Sequence, residues 1–500
     1  MIQTNLRHLI KYASTYLMMH PSDEDYCFNR LLLLMGLDDC GAEEPVPSVD
    51  GLIGPDSVLE PILADAVARG IIEEGQTEAF GARLMDTVSL RPSELQKIFN
   101  EKKQTEGLKA ATDWFHDYCE KNDYVKRAAI NRNRRWTAHG EKADLVITVN
   151  LSKPEVDNKK SAAMLHKKPS GYPSCAICRQ NEGFSGHGTV RDTLRTIDVT
   201  LADEPFFWQF SPYAYYYQHA IIINTKHVPM AVNALALRRL MDFVDQYPHY
   251  FIGSNAALPR IGGSLLVHDH YQGGLEKLPM QSAKYRKVFT SPDAKVKIGI
   301  VEWYNSAVRF ESDDRAALED VAARMIEAWK DYSAPELGIL PQTGDEFHNS
   351  SSPVVRRTET GYIVDLILRN NRCDETYPDG IFHAHPEYHN VKKESIGLIE
   401  AMGLYILPAR LDRQLFREAA AYLTGKPYDP DALAEDMKVH KDMIELLLAR
   451  HGNALSAEEA QEAVRARINE VCEEILKNTA VFAEDEQGTA AFEAFVSRFI

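Results

Sequence analysis

The sequence predicts an α+β fold in which helical regions at both ends enclose a middle built of short strands and helices. Three observations lead there. Apolar residues recur at three- and four-residue spacing through the first part of the chain, as in Ser57–Val67 and Leu95–Phe99. Beyond the polar, lysine-rich stretch from Leu151 to Ser170, the chain changes to short β-type runs punctuated by Gly and Pro. After Leu411 the helical spacing returns.

The N-terminal helical region is expected to span residues 1–150, since the change of character falls there. Strands are expected at Ala220–Asn224, Gly263–His268, Ile298–Trp303 and Tyr362–Leu368. Helices separate them. One covers Leu235–Val244, and in another Leu318, Val321, Ala322, Met325, Ile326 and Trp329 form a stripe at helical spacing, which is a packing face. In the C-terminal helical region, residues 412–500, Ser456 to Glu459 makes a capping-box pattern ahead of Val464, Ile468, Val471 and Ile475. No short repeat and no low-complexity segment stands out.

Composition narrows the function classes. A chain of 500 residues is too long for one small module, and 44% hydrophobic with 26% charged residues is enough for a large core and too apolar for disorder. With 56 Lys and Arg against 73 Asp and Glu the net charge is −17, so release of counterions from a polyanion brings nothing. Nucleic acid is not expected as a partner. A small phosphorylated ligand in a locally positive pocket remains compatible with that charge.

No run approaches the roughly 18 to 20 apolar residues of a membrane span, and the richest, Leu31–Met35, is of core-helix length. No membrane partner is expected. The opening Met1–His8 is not followed by a signal-type apolar region, and Cys27, Cys40, Cys119, Cys175, Cys178, Cys373 and Cys472 are odd in number and mostly scattered. Both point to a reducing cytoplasm.

The densest polar constellation is Gly262-Gly263-Ser264-Leu265-Leu266-Val267-His268-Asp269-His270-Tyr271-Gln272-Gly273-Gly274. In an extended chain His268, His270 and Gln272 project to one face, Asp269 and Tyr271 to the other. Two imidazoles and an amide at period two are costly in an apolar layer unless a ligand, metal or reacting group satisfies them. The competing reading is a solvent-exposed edge strand. A neutral imidazole is a good nucleophile toward phosphorus and a good leaving group afterwards. Glycines admit phosphate oxygens to the backbone N–H groups, and the Gln amide, the Ser264 hydroxyl and the amide of Asn255 are donors for charge in the transition state.

Cys175-Ala176-Ile177-Cys178 can grip one Zn²⁺ from a tight turn, with His219, His227 and His268 as candidates for the remaining positions. A redox dithiol and an inert pair are the alternatives. A second His-x-His, His383-Ala384-His385, would again share one face if extended. It could bind a metal, hold a sugar or phosphate together with Lys392 and Lys393, or be a polar surface segment. Arg356, Arg357, Arg369 and Arg372, read as loop residues, supply the cations a nucleotide diphosphate attracts.

These residues carry a resemblance. The string His268–Gly274, preceded by Tyr247-Pro248-His249-Tyr250-Phe251-Ile252-Gly253-Ser254-Asn255, resembles the second bacterial type of galactose-1-phosphate uridylyltransferase. Tyr172-Pro173-Ser174-Cys175, Phe210-Ser211-Pro212-Tyr213 and the block from Gly380 through Gly403 to Leu411 match as well, so that the likeness covers most of the chain.

The resemblance implies two histidine-triad-like halves with antiparallel sheets, residues 151–300 with the nucleophile and 301–411, between the helical regions. It implies a nucleotidyltransferase of galactose metabolism working by ping-pong. UMP passes from UDP-glucose to a histidine, releasing glucose 1-phosphate, and then to galactose 1-phosphate, giving UDP-galactose. The second histidine of the motif, His270, would be the nucleophile. Gln272 would hold the phosphate, with Asn255, Ser264, Gly262 and Gly263 near it, and His383, His385, Lys392 and Lys393 on the substrate side.

By the same resemblance Cys175, Cys178, His227 and His268 would hold a structural zinc, with His219 competing for the place of His227. No organic cofactor is implied. His383-Ala384-His385 resembles a second, iron-type site of the other, first type of these uridylyltransferases, but Ile367-Leu368-Arg369 stands where its histidine partner would, so that metal is not expected. Asp269 replaces the central Pro of the first type. A homodimer is common for such enzymes. The rival functions are a nucleotide hydrolase or phosphorylase of the same superfamily, and a catalytically silent sugar-nucleotide-binding protein.

Overall fold

The structure is a computed structural model that describes residues 2–42, 44–151, 171–186, 190–263, 265–289 and 295–500. They divide into two compact units. One takes in the described residues of 1–132 and 168–227, the other those of 133–167 and 228–500.

In the first unit the expected helices form: α1 (Ile2–Tyr16), α2 (Glu24–Leu34), α3 (Asp56–Ala68), α4 (Thr77–Val88), α5 (Pro92–Thr105) and α6 (Leu108–Lys121). Each buries one stripe, such as Leu6, Leu9, Ile10 and Ala13 of α1 or Ala111, Phe115, Tyr118 and Cys119 of α6. An antiparallel meander follows, β1 (Ile197–Leu201), β2 (Glu204–Phe210) and β3 (Ala220–Asn224). Phe115 of α6 packs on it, its ring 5.0 Å from Phe210 and 6.3 Å from Trp208. The buried Arg195, entering β1, donates to the carbonyls of Leu90, Asp192 and Leu194 and pairs with Asp86, so the strand edge and the α4–α5 turn are tied through one guanidinium.

The second unit carries β4 (Phe251–Gly253), β5 (His270–Gly274), β6 (Tyr285–Phe289), β7 (Lys297–Val301), β8 (Ala307–Ser312), β9 (Asn349–Thr358) and β10 (Gly361–Asn370). They form one antiparallel array in the order β5-β4-β9-β10-β8-β7-β6. Helix α7 (Ala234–Gln246) precedes β4, and α8 (Arg315–Lys330) precedes β9. Along the chain a meander, a helix and a hairpin therefore occur twice: β1-β2-β3, α7, β4-β5 and then β6-β7-β8, α8, β9-β10. The second copy opens at Tyr285, before the boundary at residue 300 that the resemblance implied.

Helix α8 packs as its stripe predicts. Leu318, Val321, Ala322, Met325, Ile326 and Trp329 are all buried. The Trp329 indole donates to the Ser350 carbonyl at 2.7 Å and to the Arg369 carbonyl at 3.0 Å, which pins the helix to one face of the β9–β10 hairpin. The opposite face is crossed by the chain around the short helix α9 (Leu398–Ala401), whose Leu398 would collide with any side chain at Gly253 of β4. Beyond it lie α10 (Lys441–His451), α11 (Ala457–Asn478) and α12 (Glu486–Val496). The expected capping box opens α11, with Ser456 Oγ accepting from Glu459 N at 3.3 Å and the Glu459 carboxylate accepting from Ser456 N at 2.8 Å.

Two expectations fail. The helical reading up to residue 150 stops at Ile130, because Arg134–His139 and Asp144–Asn150 pair as an antiparallel hairpin joined in parallel by Leu404–Pro408. The alternation that buries Leu145, Ile147 and Val149 there is a strand signal. Of the strand expected at Gly263–His268, the described residues form no strand, and extended pairing begins only at His270. The lysine-rich residues 152–170 lie outside the described residues. Among the described residues no helix is long and apolar enough to cross a membrane, and every cysteine is a free thiol.

Candidate active site

The strand β5 carries the histidine motif, and its faces are set by α7. Arg239 sits within the apolar stripe Leu237, Leu240, Met241 and Val244 of that helix. Its guanidinium donates to the Asp269 carboxylate at 3.0 Å and to the Tyr271 hydroxyl at 3.2 Å. Asp269 and Tyr271 thus face the helix, and His270 and Gln272 project from the other side, as the alternation requires. Asp269 is a buried partner of a helix cation, which accounts for a carboxylate at this position. Arg239 was not singled out from the sequence; a lone arginine inside an apolar helical stripe was the available signal.

His268 and His270 are 1% and 7% exposed, which excludes the exposed edge strand. Nδ1 of His270 lies 2.8 Å from the His268 carbonyl oxygen. A carbonyl only accepts, so Nδ1 carries the proton and Nε2 keeps its lone pair. Burial holds the imidazole at about 4, against which the hydrogen bond to His268 acts only in part. The ring is neutral at pH 7.

Gln272 is half-buried and pairs across with Gly253 of β4. One residue past β4 lies Ser254, and then Asn255, 5% exposed, whose Oδ1 accepts the Leu398 N–H at 2.8 Å. The amide nitrogen then points at the glycine turn: a Cβ on Gly263 would stand 3.2 Å from Asn255 Nδ2. Gly263 has φ +75°, and a Cβ on Gly262 would lie 2.1 Å from the Ala256 carbonyl oxygen, so both positions exclude side chains. Ser264 lies outside the described residues.

In the first unit, the sulfurs of Cys175 and Cys178 are 3.4 Å apart and Cys178 Sγ is 3.2 Å from His227 Nδ1. All three donor atoms lie within 4.8 Å of one another. Asn181 fixes the turn by donating to the Cys175 and Cys178 carbonyls at 2.9 and 2.8 Å. The hydrogen bond with Cys178 and burial push the Cys175 thiol up, so a cation is what would draw the pair into the thiolate form. Two sulfurs and an imidazole converging at a buried turn match the donor set and reach of a tetrahedral metal site. His227, rather than His219, joins the cysteines; the His219 ring lies tilted against Tyr215 and Tyr216.

The second histidine pair does not lie on a strand. Nε2 of His385 donates to the Ile381 carbonyl at 3.0 Å and the ring stacks on Tyr377, whereas His383 is buried. The segment cannot alternate because it runs into the turn at Pro386. Lys392 is buried and paired with Glu394 at 2.8 Å and Glu400 at 2.6 Å, and Lys393 next to it is exposed. Of the four arginines, Arg356, Arg357 and Arg369 lie on β9 and β10, not on loops. Arg356 pairs with Asp365 and Arg357 with Asp245, Arg372 donates to the Gly338 carbonyl, and Arg369 is fully buried.

Two family models match the chain: "Galactose-1-phosphate uridyl transferase, N-terminal domain" over residues 18–229 and "Galactose-1-phosphate uridyl transferase, C-terminal domain" over residues 243–444. Galactose-1-phosphate uridylyltransferase of Bifidobacterium longum is 41% identical, covering 97% of this chain and 96% of that one. The protein of that name from Lactococcus lactis strain IL1403 is 38% identical over 99% of both, and that from Bacillus subtilis 36% identical over 99% of this chain and 97% of its own. Yeast Ap4A phosphorylase Apa2 aligns over 57% of this chain and 84% of its own at TM-score 0.32 and 11% identity, too distant to carry an argument.

Proposed function

The chain belongs to the galactose-1-phosphate uridylyltransferase family, and from that premise we propose how its residues divide the reaction. It is a nucleotidyltransferase of galactose metabolism that exchanges UMP between UDP-glucose and galactose 1-phosphate, giving glucose 1-phosphate and UDP-galactose. His270 is the nucleophile. Its Nε2 lone pair attacks the α-phosphorus of UDP-glucose, an N–P bond forms, and the bond to the bridging oxygen breaks with its electron pair leaving on glucose 1-phosphate. A phosphate oxygen of galactose 1-phosphate then attacks the same phosphorus, and the N–P electron pair returns to Nε2.

One observation carries this assignment: Nδ1 of His270 is held at 2.8 Å by the His268 carbonyl. The bond fixes the tautomer and stabilises the positive charge that the ring acquires when Nε2 is phosphorylated. Gln272, the Asn255 amide, Ser264 and the backbone of Gly262 and Gly263 are proposed to bind the phosphates, because a glycine turn faced by an amide donor suits oxyanions at close range.

Zinc fits Cys175, Cys178 and His227, with His268 proposed as the fourth ligand. The metal would act as a structural crosslink between the Cys175–Cys178 turn and His227. The working setting is proposed to be the reducing cytoplasm, in keeping with the free thiols.

The experiment is isotope exchange between UDP-glucose and labelled glucose 1-phosphate without galactose 1-phosphate. The wild type is expected to exchange, and His270→Asn to lose at least about 10⁴-fold, the scale of removing a covalent nucleophile. Retained exchange in the variant removes His270 from the mechanism.

A further inference from the structure

The face of the sheet that bears His270 also bears a second set of buried polar groups, in the other half. Register places Gln272 across from Gly253, Gly253 across from Val354, and Val354 across from Asp365. Alternation then brings Ser350 and Ser352 of β9, and Ile367 and Arg369 of β10, to that same face. Arg369 is 0% exposed, and Nε, Nη1 and Nη2 have no hydrogen-bond partner among the described residues. His383 is 1% exposed, and beyond the Ala384 backbone neither ring nitrogen has a hydrogen-bond partner among the described residues. Ser352 Oγ is in the same condition. Of the charges acting on the His383 ring, that of Arg369 is the strongest.

A guanidinium has five N–H donors and no acceptor, and burying its charge unpaired is strongly unfavourable. The carboxylate whose charge acts on it, Glu400, is paired with Lys392 at 2.6 Å. The unpartnered atoms are a planar donor fork, a hydroxyl, and an imidazole that can donate from either nitrogen. The set is rich in donors and anchored by a fixed positive charge. Water would bring as many donors as acceptors and no charge. A divalent cation at His383 would meet the Arg369 charge in a desolvated space. A small oxyanion meets each requirement, since it offers only acceptors and matches the guanidinium fork in bidentate geometry.

We propose that Arg369 and His383, with Ser352 beside them, form an internal binding site for one small oxyanion of the phosphate or sulfate class, separate from the phosphate-binding turn near His270. By strand spacing Arg369 lies three strands from β5, about 15 Å away across the sheet. The ion would neutralise the buried cation and crosslink β10 to the loop that carries His383, so its role is to stiffen the second half.

The test uses the full-length protein, desalted into chloride buffer and saturated with UMP so that nucleotide-displaceable anions are removed. Ion chromatography of the denatured protein is expected to release about one phosphate or sulfate per chain. Where exchange is complete, melting at constant ionic strength is expected to rise by about 2 °C or more when about 20 mM phosphate or sulfate replaces chloride. Arg369→Met and His383→Asn should each lose the response. Should Arg369→Met fail to fold, the released ion and His383→Asn still decide. Release of no anion together with no phosphate or sulfate shift in the wild type overturns the site in favour of buried water. Metal released in stoichiometric amount from His383 and His385, surviving Cys175→Ser, overturns it in favour of a cation.

Discussion

Replacing Arg239 by Met should both destabilise the protein and slow the exchange reaction, although Arg239 belongs to helix α7 and not to the histidine strand. The guanidinium is 10% exposed and the Asp269 carboxylate it meets 5%, at 3.0 Å, so this is a buried ion pair. Breaking such a pair from one side costs about 3 to 5 kcal/mol, because the remaining charge stays in the interior. The lost bond to the Tyr271 hydroxyl adds about 1 kcal/mol. Asp269 and Tyr271 flank His270 on β5, so the stranded carboxylate acts on the residues that aim the imidazole. Urea unfolding is the assay, with exchange between UDP-glucose and glucose 1-phosphate on the same samples. The midpoint should fall sharply for Arg239→Met, and Arg239→Met/Asp269→Leu should recover more than half of the loss, since removing both charges is close to neutral. An unchanged midpoint in the single variant, or a double variant no better than the single, would refute the argument.

Further outcomes concern the turn, the cysteines and pH. Gly263→Ala puts a side chain at φ +75° and 3.2 Å from the Asn255 amide, and should cost about 1 to 2 kcal/mol of stability and raise the KM for UDP-glucose. Asn255→Ala, which frees the Leu398 N–H, should do the same to KM, whereas an unchanged KM in both would take the phosphates away from this turn. Cys175→Ser should reduce zinc, measured by elemental analysis, from about one per chain to near none and lower the melting temperature; undiminished zinc contradicts the assignment. His116 and His440 are 4% and 0% exposed, and burial holds each at about 4, below the ordinary histidine value. The unfolded chain therefore binds more protons than the native one between about pH 6.5 and 4, and stability should fall through that window by about 3 kcal/mol for each ring. His440→Asn, whose amide can replace the contact to Gln414, should flatten the loss in urea midpoints between pH 7.5 and pH 5.

The sequence revealed most where local pattern and tertiary environment agree. The α8 stripe, the α11 capping box and the β3 strand were legible because periodicity alone decides which face is buried. The β1–β2 hairpin was not, since its turn uses Ala202 and Asp203 with φ of 48° and 60° where Asn-Gly would have announced it. Strand β9 begins Asn349-Ser350-Ser351-Ser352-Pro353, which reads as a loop and is nonetheless buried, with the Asn349 amide donating to the Trp329 carbonyl of α8. At the site, the period-two argument for His270 and Gln272 was sufficient because β5 is extended there. The same argument failed for His383 and His385, where the chain turns before Pro386. His227 could be told from His219 only by where β3 delivers each ring, and that is a tertiary fact.

The claim that one imidazole carries the nucleotide is tested most directly by mass spectrometry of enzyme mixed with UDP-glucose and quenched before galactose 1-phosphate is added. The account requires a UMP adduct on the peptide containing His270, discharged by galactose 1-phosphate faster than by water or inorganic phosphate. An unmodified peptide under conditions of full turnover, with initial-rate kinetics that need UDP-glucose and galactose 1-phosphate bound together, contradicts it.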